Sequence, residues 1–75
     1  MINDIEYNIL KYVYKIGKIK QSEIIEILSY DYSIFEIIPY IQKLRTYGYL
    51  EYDNTGYISI TDTGVRIYDN QKVDT

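Results

Sequence analysis

Between residues 34 and 60 the chain reads Ile34-Phe35-Glu36-Ile37-Ile38-Pro39-Tyr40-Ile41-Gln42-Lys43-Leu44-Arg45-Thr46-Tyr47-Gly48, then Tyr49-Leu50-Glu51-Tyr52-Asp53-Asn54-Thr55-Gly56-Tyr57-Ile58-Ser59-Ile60. In the first block Ile34, Ile37, Ile38, Ile41 and Leu44 recur with the period of a helix that turns one stripe to a core. Ser33 and Glu36 are the residue pair of a capping box, which satisfies the first free amides of such a helix. Gly48 lies just past the last periodic residue, where a left-handed cap costs glycine little. There the period changes from 3.6 to 2. Leu50 and Tyr52, then Ile58 and Ile60, alternate with Glu51 and Ser59, and Asp53-Asn54-Thr55-Gly56 favours a turn ending in a glycine of positive φ. The stretch predicts a helix that feeds directly into a β-hairpin with one buried face.

Outward from this stretch the elements are shorter. Asn3 and Glu6 are placed to cap a first helix, with Ile5, Ile9, Val13 and Ile16 as its core stripe, Leu10 and Tyr12 widening it, and Gly17 as its end. Lys18-Ile19-Lys20 is too short and too alternating for a helix and reads as an extended segment lying against the hairpin. A second helix runs from about Gln21 to Leu28, with Ile24, Ile25, Ile27 and Leu28 mostly buried; either Ser22 caps it, or Lys20 holds the cap position with Glu23 three residues on. Ser29 to Tyr32 form the turn before the third helix. After the hairpin, Thr61-Asp62-Thr63-Gly64 opens a short last helix whose Val65 and Tyr68 pack back on the core. Residues 1–69 read as one ordered domain and 70–75 as a frayed polar tail. The fold class is α+β and mostly helical: a three-helix core, a hairpin and a short C-terminal helix.

A domain of 75 residues buries roughly 60% of its unfolded surface, which leaves a thin margin of stability and little room for an enclosed active site. Cysteine and histidine are both absent, which excludes disulfides, thiolate or imidazole metal sites, and Cys- or His-based catalysis. Glu51, Asp53 and Asp62 occupy turn and cap positions, where carboxylates serve local hydrogen bonding. The expectation is no catalytic residue, no metal and no cofactor. No apolar run approaches the roughly 18 residues of a membrane span, and no basic segment followed by an apolar one opens the chain. A soluble cytoplasmic protein is expected.

The segment from Pro39 to Gly48, followed by Tyr49-Leu50, resembles the recognition-helix region of PadR-like regulators: a helix proline, aliphatic residues two and five positions later (Ile41, Leu44), and a glycine nine positions later. Ile58-Ser59-Ile60-Thr61-Asp62-Thr63-Gly64 is similar to the strand, threonine and glycine with which PadR-like and MarR-like domains leave the hairpin for a final helix. The resemblance spans about half the chain and implies a winged helix-turn-helix. It further implies a transcriptional regulator that lays residues 33–47, its recognition helix, in the major groove of double-stranded DNA. The chain departs from the family pattern in three ways. Residues 52–57, the wing tip, carry no cation; Ile38 stands where a tyrosine usually precedes the proline; and the roughly eight residues expected to be helical after Thr61 are too few for a long dimerisation helix.

Under that resemblance Phe35, Glu36, Pro39, Tyr40, Gln42, Lys43 and Tyr47 occupy the outer face of the third helix. Tyr40, Gln42 and Lys43 come near base edges, whose donors and acceptors amide and ammonium groups match, and Tyr47 completes the DNA-binding set of this helix. Lys18, Lys20 and Ser22 hold phosphates, and Asn54 and Thr55 at the wing tip touch the backbone or minor groove. The plainer alternative is a solvated helix face, with Phe35 clustering on Tyr32. Charge limits the first reading. Residues 1–48 hold six cations and six carboxylates, whereas residues 49–75 hold two and five, so the whole net charge of −3 lies in the C-terminal part. A net-acidic domain binds phosphates only if its cations share a face.

Eleven tyrosines supply either cover for a thin core or an interface. Tyr7 and Tyr14, seven apart on the first helix, mark a stripe for a homodimer, and Tyr12 and Tyr30 extend the candidate surface. A second class of function follows from the same features: a winged helix used as a protein-interaction module, docking through its acidic wing and tyrosine-rich surface.

Overall fold

Four helices and a three-stranded antiparallel sheet make up this mostly helical α+β chain; the computed structural model describes residues 2–72. In order they are α1 (Asp4–Ile16), β1 (Ile19–Lys20), α2 (Gln21–Leu28), α3 (Ile34–Thr46), β2 (Leu50–Tyr52), β3 (Tyr57–Ile60) and α4 (Asp62–Lys72). The sheet has the order β1-β3-β2, with Ile19 opposite Ile58 and Ile58 opposite Tyr52. Its apolar face closes over Ile9, Leu10 and Val13 of α1, Ile24 and Leu28 of α2, and Ile37, Ile41 and Leu44 of α3. Lys18-Ile19-Lys20 thus provides the edge strand that the alternation predicts, and Ile19 is its buried member.

Each helix start shows how local hydrogen bonding marks a boundary. At α1 the Glu6 amide donates to Asn3 Oδ1 (2.9 Å) and the Asn3 amide to Glu6 Oε1 (3.0 Å), a complete capping box. At α2 the Lys20 amide donates to Glu23 Oε1 (3.0 Å). A lysine ammonium has no lone pair to return the bond, so only half the box forms there. Ser22 lies inside the first turn of α2 and caps nothing. At α3 the Ser33 amide donates to Glu36 Oε1 (3.3 Å).

The join between α3 and the hairpin is held from three sides. Gly48 has φ +81° and ends the helix as its position predicts, with the Tyr49 amide reaching back to the Leu44 carbonyl (2.9 Å). Thr61 then fastens this corner to α4. Its amide donates to the Tyr49 carbonyl (3.0 Å), its hydroxyl donates to the Gly48 carbonyl (2.6 Å), and its Oγ1 accepts the Gly64 amide (3.0 Å). Gly64 is buried against the same corner. A Cβ there would collide with the Tyr49 carbonyl oxygen and come within 2.7 Å of Ile60 Cγ1.

Several sequence expectations change at element ends. Ile16 is 50% exposed and Ile34 44% exposed, because each sits at a helix terminus that overruns the core its stripe was built for. Phe35 does not cluster with Tyr32: it is 87% exposed, while the Tyr32 hydroxyl accepts from Asn8 Nδ2 (3.1 Å) and its ring packs on the main core. α4 continues to Lys72, past the Asp69 boundary and into the tail expected to fray. Once the helix is nucleated, each added residue gains one backbone bond for the one residue it fixes, so extension is nearly balanced and not opposed. Residues 73–75 of that expected tail lie outside the described residues.

Candidate nucleic-acid interface

With about 100° of rotation per residue, α3 divides into four stripes. Ile37, Ile41 and Leu44 are buried; Phe35, Pro39, Gln42 and Thr46 form an outward crest; Ile38 and Arg45 lie on one flank, and Glu36, Tyr40, Lys43 and Tyr47 on the other. Pro39 has no amide to give, so the Phe35 carbonyl lacks its donor from residue i+4 on the exposed side of the helix. Phe35, Glu36, Pro39, Tyr40, Gln42, Lys43 and Thr46 line an open groove of about 400 Å3. Tyr40, Gln42 and Lys43 therefore do share one surface. Lys43 Nζ lies 5.5 Å from the centroid of the half-buried Tyr40 ring.

Tyr47 turns away from that crest. Its ring meets Tyr49 at 5.7 Å and 54°. It also lines a second groove, of about 310 Å3, with Ile2, Glu6, Lys43 and Tyr49. Lys43 is common to both grooves.

The other flank is tied to the hairpin. Arg45 Cζ stands 4.3 Å from the centroid of the Tyr52 ring, and the Tyr52 hydroxyl donates to Gln21 Oε1 (2.9 Å). The first residue of α2, the end of α3 and the last residue of β2 are thereby linked through one tyrosine. Burial pushes the Tyr52 phenol above its ordinary value, and the Arg45 guanidinium partly opposes the shift. Nearby on the sheet, Lys20 Nζ stands 5.3 Å from the Tyr57 ring centroid, and Lys18 Nζ pairs with Asp53 Oδ2 at 3.6 Å. Lys18, Lys20 and Arg45 thus all lean on hairpin residues. Ser22 is exposed one residue beyond Gln21.

At the hairpin tip the donors of Thr55 and the Tyr57 amide are already engaged. Asp53 Oδ1 accepts the Thr55 amide (2.8 Å), the Thr55 hydroxyl (2.7 Å) and the Tyr57 amide (3.0 Å). The Thr55 hydroxyl bond chiefly, with the two amides and then Lys18 adding, holds the Asp53 carboxyl down at about 2. Thr55 spends its donors inside the turn, whereas the Asn54 side chain is exposed and has no partner among the described residues.

Arg45 and Gln21 escape a sequence reading that looks only at the face opposite the apolar stripe. Arg45 borders that stripe, and what gives it a place is the inward-facing Tyr52, two residues after Leu50 on the same side of β2. A hairpin tyrosine facing inward beside a helix end was the available signal. Tyr7 and Tyr14, the candidate dimer stripe, both meet Tyr68 of α4, each with ring centroids 5.2 Å apart, so part of their surface is used within the chain. Among the described residues no group of three or more carboxylates is arranged to hold a metal, and no helix is long and apolar enough to cross a membrane. No protein-family model matches the chain, and no curated protein matches it.

Proposed function

We propose that this chain is a small winged helix-turn-helix protein of the kind the PadR-like and MarR-like resemblance suggests, binding double-stranded DNA as a transcriptional regulator in the cytoplasm. α3 enters the major groove and presents its crest. Gln42 and Lys43 offer an amide and an ammonium to base edges, with Tyr40 beside them. Lys18 and Lys20 meet phosphates near the start of α2, where Ser22 and the helix dipole add to the attraction. Asn54 reaches the backbone from the wing tip. Arg45 is an addition to the sequence-derived set. A homodimer through the first helix would use the outer surface of Tyr14 and the remaining surface of Tyr7, pairing two half-sites.

The observation that carries this reading is that Lys18, Lys20 and Arg45 are each held against hairpin residues beside the start of α2 and the end of α3. In a chain of net charge −3, counterion release requires cations that share a face; Lys18 and Lys20, two apart on an extended segment, share one, and Arg45 stands with Tyr52 on the Ile58 side of the sheet. The Lys18–Asp53 pair also removes one bare anion from the wing tip.

Exposure favours one rival. Phe35 is 87% and Tyr30 90% exposed, which suits a protein-interaction module. Titration of the chain into random-sequence duplex at low and moderate salt separates the two. DNA binding predicts a steep salt dependence, lowered by about one unit of slope for each of Lys18 and Lys20 changed to alanine. Absence of binding at low salt overturns it in favour of the module.

A further inference from the structure

The second groove holds two opposite charges that do not meet. Glu6 is only 6% exposed. Its Oε1 accepts the Asn3 amide, while Oε2 has no donor among the described residues and is not sealed from solvent. Lys43 contributes an ammonium to the same groove, yet the ion pair found among the described residues is Lys18–Asp53, not Glu6–Lys43. The remaining walls are Ile2 and the rings of Tyr47 and Tyr49, which are inclined at 54° to each other and carry a polar hydroxyl each. A carboxylate this deeply set keeps little hydration at its open oxygen, and a charged hydrogen-bond donor there is worth more than it would be in bulk water. At about 310 Å3 the groove is at the lower end of the range for small-ligand sites.

We infer that the groove between the start of α1 and the end of α3 binds a free apolar α-amino acid, its ammonium on Glu6 Oε2, its carboxylate on Lys43 Nζ and its side chain against Ile2, Tyr47 and Tyr49. A zwitterion brings both charges on one carbon, so it spans two side chains that do not reach each other. A simple amine would leave Lys43 unmatched, and a simple carboxylate would set its charge against Glu6. The site itself does not depend on DNA. Its regulatory consequence rests on the DNA-binding reading: Lys43 and Tyr47 belong to α3, so an occupied groove withdraws Lys43 from the surface it shares with Tyr40 and Gln42 and weakens DNA binding.

The test is an amide-shift NMR titration of the full chain, without DNA, using L-leucine, L-valine and L-phenylalanine, with N-acetyl-L-leucine and L-leucinamide as probes that each lack one charge. At least one free amino acid is expected to give saturable shifts around residues 2–7 and 43–49, and each capped leucine to bind at least about tenfold more weakly than free leucine. In Lys43→Met the difference between leucine and leucinamide disappears, a readout that survives even if Glu6→Gln disturbs the start of α1. No saturable shift with any of the three amino acids, or equal binding of leucine and N-acetyl-leucine, overturns the inference. Because DNA is absent, these outcomes are separate from failure of the DNA reading.

Discussion

The base and the tip of the hairpin are held by different physics. At the base, Gly48, Tyr49, Thr61 and Gly64 form a crowded corner in which a carbonyl oxygen occupies the space a side chain would need. At the tip, Asp53 organises the turn by accepting three hydrogen bonds in open solvent, with Lys18 alongside. Packing cannot relax without moving the backbone, whereas exposed hydrogen bonds exchange with water at small net cost. The base therefore sets the angle between α3 and the hairpin, and the tip adjusts locally.

The largest way to break this contrast is Gly64→Ala. The added methyl meets the Tyr49 carbonyl and Ile60, and overpacking of this kind destabilises by about 1–3 kcal/mol, read by chemical denaturation. Next is Thr61→Val, which removes both the bond to the Gly48 carbonyl and the acceptor for the Gly64 amide; a loss of about 0.5–2 kcal/mol is expected by the same assay. Tyr52→Phe sharpens the comparison in between. It frees Gln21 for about 0.5–1.5 kcal/mol while leaving the ring under Arg45 in place.

The smallest effect is expected at the tip. The Asp53 carboxyl is depressed from 3.8 to about 2, so its contribution is full above its ordinary value and is lost as pH falls toward about 2. A carboxyl NMR titration should place its midpoint near 2. A midpoint at the ordinary value would show that the turn bonds do not hold in solution.

The order of elements was legible because the apolar period changes from 3.6 to 2 at Gly48, and because Asn3/Glu6 marks a helix start independently of packing. The boundaries of α2 were legible through the density of its isoleucines, but not its cap, where lysine takes a position that favours small acceptors. Periodicity reports direction around a helix and not how far the core extends along it, so Ile16 and Ile34 read as core but lie beyond its ends. The candidate site was legible in part. Tyr40, Gln42 and Lys43 share a surface because helical spacing alone requires it. The separation of Tyr47 from that surface, and the junction of Arg45, Tyr52 and Gln21, depend on how the hairpin folds back. Pattern within one element carries no record of that.

The central claim is that duplex DNA meets the crest of α3 together with the cations beside the hairpin, and amide-shift mapping on adding random-sequence duplex at low salt tests it directly. The account predicts shifts concentrated at residues 18–22, 42–46 and 52–57, fading as salt rises. Shifts confined to α1 and α4, or none at all, would contradict it.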